Sequence, residues 1–443
     1  MTSRPRLRAL FAVAVTTMLV AAACTTGTGP GAGGSPSATP EKCAADDPSG
    51  IKVLSLWGGS ERENFCKILE GFTAKTGIKT QYEQARNFLP VLNTRITAGN
   101  PPDVAVIPRP GVVADLANQG AIKSLDTFGV DLNTAYAKAW VDLGSVNGKQ
   151  YGVPVKANSK SVIWYKPASL KALGKEIPKT WDEFIAICDA YAAAGKKCLA
   201  VGAKDSWNLT DAFENIYARS AGPDKYSDLF SGKLPFNDQS VKDAMKTMTD
   251  LIANEKYVAG GVDGALGTAF VDGIGRVYKA TGADAEMFME GGFVGGIALK
   301  DVNKDLKVGT DIAFFPFPQI KAEHGDPIVG GGDLAVGFKD SDQVKQFLQY
   351  MASADAANIF APTGTINPNK GTDASKFPTD LVRAEADQLA AATVFRFDGS
   401  DLLPGTLGED WGTVLQNILR KPADAGTLLD QFETKAKAEF SKS

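Results

Sequence analysis

The chain has 443 residues, of which 44% are hydrophobic and 22% charged; this is a globular balance in a length too great for one core, so two lobes are expected. Lys and Arg number 47 against 51 Asp and Glu, an acidic balance that argues against a nucleic-acid partner. The single histidine, His324, lies in a polar loop, which leaves no basis for a histidine-dependent metal cluster or a Ser-His-Asp triad. The sequence after residue 23 also has no zinc spacing, Gly-x-Ser-x-Gly elbow or phosphate-cradling Gly-x-x-x-x-Gly-Lys, so no cofactor and no metal are expected.

Arg4, Arg6 and Arg8 precede an apolar run over 9–23 that stops at Cys24. That is the layout of a signal peptide and too short for a confident membrane span. Removing it leaves 44 Lys and Arg against 51 acids, about seven net negative charges. Residues 25–40 are Gly, Pro, Ser, Thr and Ala only; they cannot build a core, and as a flexible tether they would span roughly 20 to 24 Å. With Cys24 set aside, four cysteines remain and allow three disulfide pairings. Cys43 with Cys66, pinning the tether's end to the first helix, and Cys188 with Cys198, joining a helix to its following turn, are favoured.

From residue 51 the pattern alternates. Ile51-Lys-Val-Leu-Ser-Leu-Trp57 is a strand pattern ending at Gly58-Gly59. Ser60 and Glu63 have capping-box spacing, and Phe65, Ile68, Leu69 and Phe72 follow at helical intervals before Gly77. A strand over 78–84, a helix over 88–98, a strand over 103–107 and a helix over 111–118 complete a β-α-β-α-β-α unit. This argues for a parallel sheet whose ligand sites lie at the carboxyl ends of strands. Asn147-Gly148 between apolar flanks predicts a hairpin, and 162–165 a new strand. Thr180 and Glu183 form a second capping box, opening a helix. A strand over 199–202, a loop at Ser206-Trp207-Asn208, a helix over 210–219 and a core-facing helix over 241–253 follow. The strand over 308–318 contains Pro316 and Pro318 and therefore belongs at an edge or a crossover. The Gly330-Gly331-Gly332-Asp333 segment belongs to a further strand, a helix spans 341–353, and the tail from 379 is mostly helical.

The strand ending in Trp57-Gly58, then "GFTAKTGIKT" and "NPPDVAVI", "YGVPVKANSKSVIWYKP", "PKTWDEF", "MEGGF" and "RFDGSDLLPG", in that order, resemble the extracellular solute-binding proteins of ABC importers, sugar-binding branch. The resemblance covers about nine tenths of the chain. It implies an α/β, two-lobed fold of the periplasmic-binding-protein type (type II), each lobe a sheet flanked by helices, with three hinge crossings. The implied division is 1–23 signal peptide, 24–48 lipidated Cys and tether, 49–155 with 316–361 as lobe 1, and 156–315 with 362–443 as lobe 2. Val20-Ala-Ala-Ala-Cys24 resembles a bacterial lipobox, with Ala21 where that motif usually has Leu. It implies a lipid on Cys24 that holds the protein at the outer face of the cytoplasmic membrane.

At the implied cleft the resemblance places Ser60, Glu61, Arg109, Lys156, Asn158, Glu290, Gly291, Phe293, Asp333, Asp398 and Asp401, with Trp207 and Trp411 as stacking indoles. Carboxylates, amides and a few cations suit sugar hydroxyls, which both donate and accept, while an indole packs on the C–H face of a pyranose. The expected function is the capture of a neutral di- or oligosaccharide of α-glucoside type for delivery to the membrane permease subunits of an ABC importer, by a monomer without enzymatic activity. The alternatives are an extracytoplasmic glycoside hydrolase using two of these carboxylates, or a receptor for a polyol or sugar phosphate. If the anchor is a lipid on Cys24, Cys24→Ala releases the protein to the medium; retention in the membrane fraction would require another anchor.

Overall fold

The computed structural model describes Cys43 and residues 46–442. The expected signal peptide, Cys24 with its expected lipid, and the expected tether over 25–40 lie outside the described residues. Three parallel strands form first: β1 (Asp46–Ser55), β2 (Thr80–Gln84) and β3 (Val104–Ile107), with β1 between the other two. All four residues of β3 are buried, which is why its pattern is continuously apolar rather than alternating. The helices Gly59–Thr76, Phe88–Thr97 and Pro110–Asn118 connect and follow them. In the first of these Phe65, Ile68, Leu69 and Phe72 are fully buried, and Gly77 ends it in the left-handed conformation at φ 75°, which glycine adopts without steric cost. The capping box expected from Ser60 and Glu63 does not form. Gly58 is the N-cap, without a side-chain cap, and the Ser60 hydroxyl instead donates to Asp301 Oδ2 at 2.9 Å.

A short hairpin, β4 (Ser145–Val146) and β5 (Lys149–Gln150), turns through Asn147 and Gly148 at φ 50° and 75°, the pair of positive angles that a tight hairpin turn requires. The remaining strands are β6 (Val153–Ser159), β7 (Val162–Tyr165), β8 (Leu199–Ala200), β9 (Met287–Met289), β10 (Ala313–Pro316), β11 (Ile328–Gly337) and β12 (Phe395–Phe397). Buried along all ten residues, β11 joins the first sheet. One of its edges carries β6 antiparallel; the other carries β12 parallel at its start and β3 antiparallel at its end. The first sheet is therefore mixed rather than parallel. The second sheet runs β10-β7-β9-β8, with proline-ended β10 at its edge, where a residue without an N–H costs no ladder bond.

Three passages connect the sheets. The first falls at Lys160-Ser161, between β6 and β7, and not at Val155, because β6 pairs with β11 through Ser159. The second runs between β10 and β11. The last follows β12 at Asp398, and not 361–366, because Phe395–Phe397 return to pair with Ile328–Gly330. Ser161 ties the passages together. Its hydroxyl accepts from Val329 N–H at 2.8 Å and donates to Asn215 Oδ1 at 2.6 Å, while its carbonyl accepts from Phe317 N–H at 2.9 Å.

The structure pairs Cys43 with Cys66 and Cys188 with Cys198, at Cα separations of 5.3 and 5.0 Å. Cys188 and Cys198 are ten residues apart. Replacing both by Ala is expected to cost about 3 kcal/mol, by the loop-entropy relation, read as a lower denaturant midpoint; an unchanged midpoint would show that this bridge contributes no stability.

Candidate functional site

The site grows from the passage that leaves β6. Strand alternation puts Lys156, Asn158 and Lys160 two residues apart, and both lysines run into the space between the sheets. The Lys156 ammonium bonds Glu61 Oε1 at 2.5 Å and lies over two rings, 5.3 Å from the Trp57 centroid and 5.7 Å from that of Phe293. Burial pulls its pKa down, but Glu61 and Asp333 outweigh that and hold it above the usual lysine range. The Lys160 ammonium bonds Asp211 at 3.0 Å and Asp398, with Asp401 at 3.8 Å and the Trp207 ring at 6.0 Å.

The acid wall is held from behind by the chain itself. Asp398 caps the short helix Gly399–Leu402, accepting from Asp401 N–H at 3.1 Å and the Ser400 hydroxyl at 2.8 Å. Glu214 accepts from Gly399 N–H at 2.7 Å, Ser400 N–H at 2.9 Å and the Tyr226 hydroxyl at 2.5 Å, which fixes this turn against the Trp207–Ser220 helix. Arg109 bonds Glu409 and lies 3.5 Å from Asp401. Burial and the neighbouring Asp398 push the Asp401 carboxyl up to about 7. Burial pushes Glu290 up to about 8, and Asp333 to about 6 against the pull of Lys156. Asp398 moves the other way, because Lys160 and its hydrogen bonds outweigh its burial.

Beside these groups is a cavity of about 270 Å³, lined by Ser60, Glu61, Lys156, Asn158, Phe293 and Glu385 among others. Several buried polar atoms near it have no hydrogen-bond partner in the protein: Asn158 Oδ1, Asp211 Oδ2 and Glu290 Oε1. Groups of this kind are costly unless something binds them. An aromatic wall completes the site: Trp207, 37% exposed, packs on Phe270 and Phe293 with centroids 4.8 and 6.1 Å apart.

The structure thus brings together Glu61, Arg109, Lys156, Asn158, Trp207, Glu290, Phe293, Asp333, Asp398 and Asp401. Trp207 stands in the first turn of its helix, not in a loop. The Gly291 carbonyl accepts from Trp164 Nε1 at 2.9 Å, so the backbone at this glycine supports the wall. Ser60 lines the cavity, but its hydroxyl is committed to Asp301. Trp411 stands apart. It is fully buried, with Phe213, Phe236 and Phe432 each 5.1 Å away between ring centroids, because the apolar face of the Leu407–Arg420 helix turns it into the core. Lys160, Asp211 and Glu385 are cleft residues that the sequence reading does not include. Lys160 continues the alternation of Lys156 and Asn158, and Asp211 follows Trp207 by one helical turn, so both signals were present in the sequence.

Two sheets joined by three passages around a polar and aromatic cleft define a two-lobed binding protein. The chain belongs to the bacterial extracellular solute-binding proteins, whose sequence model matches residues 58–358. It is 34% identical to the osmoprotective compounds-binding protein GgtB of Synechocystis sp. over 82% of this chain and 86% of that protein. It is 29% identical to the alpha-glucosides-binding periplasmic protein AglE of Rhizobium meliloti over 81% and 80%. Among solved structures, the bacterial solute receptor AcbH superposes with a TM-score of 0.78 at 20% identity, covering 88% of this chain and 99% of that one. RafE in complex with raffinose does so with 0.70 at 20% identity, covering 88% and 98%. The protein is accordingly an extracytoplasmic solute receptor of an ABC importer and not an enzyme. Among the described residues no helix is long and apolar enough to cross a membrane.

The two indoles predict opposite phenotypes. Trp411→Ala opens a hole in the core and should cost about 3 to 5 kcal/mol of stability in a denaturant titration. Trp207→Ala, at the cleft wall, should cost under about 1 kcal/mol of stability. Equal losses in the two variants would contradict this placement.

Proposed function

We propose that this receptor captures a neutral di- or oligosaccharide, of the α-glucoside kind, between its two lobes and delivers it to the membrane permease subunits of an ABC importer. The observation that carries this reading is the charge and hydrogen-bond inventory of the cleft. Glu61, Asp211, Glu290, Asp333, Asp398 and Asp401 stand against Lys156, Lys160 and Arg109, which already have carboxylate partners, and against Lys300, which lines the cavity and bonds Asn64 and the Thr363 carbonyl. A phosphorylated or uronic ligand would meet net repulsion there. A hydroxylated neutral ligand instead meets what the walls offer: carboxylate acceptors, the Asn158 side-chain amide, and ring faces at Trp207 and Phe293.

One relative supports the same class: AglE is named for alpha-glucosides, whereas GgtB is named for osmoprotective compounds. The cavity of about 270 Å³ adds room beside the acid wall for a second ring or an aglycone. Closure on the ligand would bend the chain at Lys160-Ser161, at 317–327 and near Asp398. A lipid on Cys24 would keep the receptor at the outer membrane face, working as a monomer.

Two measurements test this reading. Calorimetry over a panel of trehalose, sucrose, maltooligosaccharides, polyols, sugar phosphates and uronates should find binding confined to neutral sugars; binding only of a phosphorylated or uronic ligand would overturn the ligand assignment. X-ray scattering should show a smaller radius of gyration at saturation with the ligand. An unchanged radius would overturn the closing motion.

A further inference from the structure

The carboxyl groups on one wall of the cleft outnumber the cations facing them. Lys160, on the first passage, reaches Asp211 on the Trp207–Ser220 helix and Asp398 after β12, with Asp401 further off. Asp211 also lies against Asp398 and against Glu290 at the end of β9. The other charged neighbours are already engaged. Arg109, from the opposite lobe, serves Glu409 and Asp401; Lys156 serves Glu61, beside Asp333; and Glu214, on the helix of Asp211, takes its donors from Gly399, Ser400 and Tyr226. Asp211, Glu290 and Asp398 are 2%, 1% and 1% exposed, so water does not offset the imbalance.

Two of these oxygens, Asp211 Oδ2 and Glu290 Oε1, have no donor in the protein. An ionised carboxylate can only accept. Two of them buried in contact repel, and a single proton between them turns that repulsion into a short, charge-assisted hydrogen bond.

We propose that Asp211 and Glu290 share one proton and that the cleft binds its solute together with that proton. This rests on the neutral-sugar reading above and deepens it. With the proton in place the pair carries one charge rather than two, and its outer oxygens accept from a ligand hydroxyl. Without it the wall carries one more uncompensated charge into the closed, water-poor cleft. Burial raises both carboxyl groups, Glu290 to about 8, so the proton is held at neutral pH. The sign follows from that direction: affinity is fully present below the titration of the pair and is lost as pH rises through it.

The test uses the full chain and has two arms. Without ligand, infrared spectra between roughly pH 6 and 7 should show the C=O stretch of a buried protonated carboxyl group, removed or shifted by Asp211→Asn. With trehalose, sucrose and maltose as probes, calorimetry should find affinity falling about tenfold per pH unit above the titration. Above the titration of the pair, where the free protein has lost the proton, the binding heats should depend on the ionisation enthalpy of the buffer, a readout that needs no variant. Asp211→Asn should flatten the pH profile, and Glu290→Gln serves the same purpose should the first variant fail to fold. No protonated-carboxyl band at pH 6, or wild-type affinity that stays level from about pH 6 to pH 9, overturns the proposal. If the band is present and sensitive to Asp211→Asn but no neutral sugar binds, the proton stands and the sugar reading falls.

Discussion

Lys160 is the constraint on which the rest of the cleft depends. It brings a buried ammonium to the one place where a β6–β7 passage, the start of the Trp207–Ser220 helix and the turn after β12 converge, bonding Asp211 and Asp398 there. A buried charge without partners is strongly unfavourable, and removing one member of a buried pair costs far more than the pair contributes in net stability. The three segments are therefore coupled: a motion that separated them would leave an uncompensated charge behind.

The neighbouring backbone is shaped to let that residue in. Gly330, Gly331 and Gly332 of β11 lie where side chains would not fit: a Cβ on Gly331 would come within 2.9 Å of Lys160 Cε, and one on Gly332 within 2.5 Å of the Lys156 carbonyl oxygen. The glycine run thus serves close approach of strands and lysine stems, a use of the missing side chain rather than of unusual dihedrals. Ser161, next in sequence, fastens the same crossing to Asn215, Val329 and Phe317 by hydrogen bonds. The charge at the acid wall and the hydrogen bonds that fasten the passage thus come from adjacent residues.

Some of the acids at the cleft hold the wall together: Asp398 caps a helix and Glu214 organises a turn. Aromatic rings fill the remaining faces. Phe293 and Trp207 pack on one another at the cleft, whereas Trp411 and Phe432 share the core behind it. That division of the indoles decides which part of the wall is available for stacking.

The sequence by itself determined the local elements and the class. Periodicities of two and 3.6 residues placed the first three strands and helices, and Asn147-Gly148 and the Thr180–Glu183 capping box specified their turn and cap through nearest-neighbour chemistry alone. Arg109, Glu290 and Asp398 lie just after strands, positions a sequence pattern can mark, whereas Lys156 and Asp333 lie within strands and Glu61, Trp207 and Asp401 within helices. What only the tertiary structure decided depended on contacts between distant segments. Ser60 gave up its local cap for Asp301, 241 residues away; β12 returned to β11 and moved the last passage; and Trp411 turned inward because the three phenylalanines that receive it come from distant parts of the chain. Lys160 shows the limit most plainly. Its alternation with Lys156 and Asn158 is visible in the sequence, but its importance comes from carboxylates 51 and 238 positions further along the chain, and a charge pattern along a sequence carries no information about which distant charges the fold will bring together.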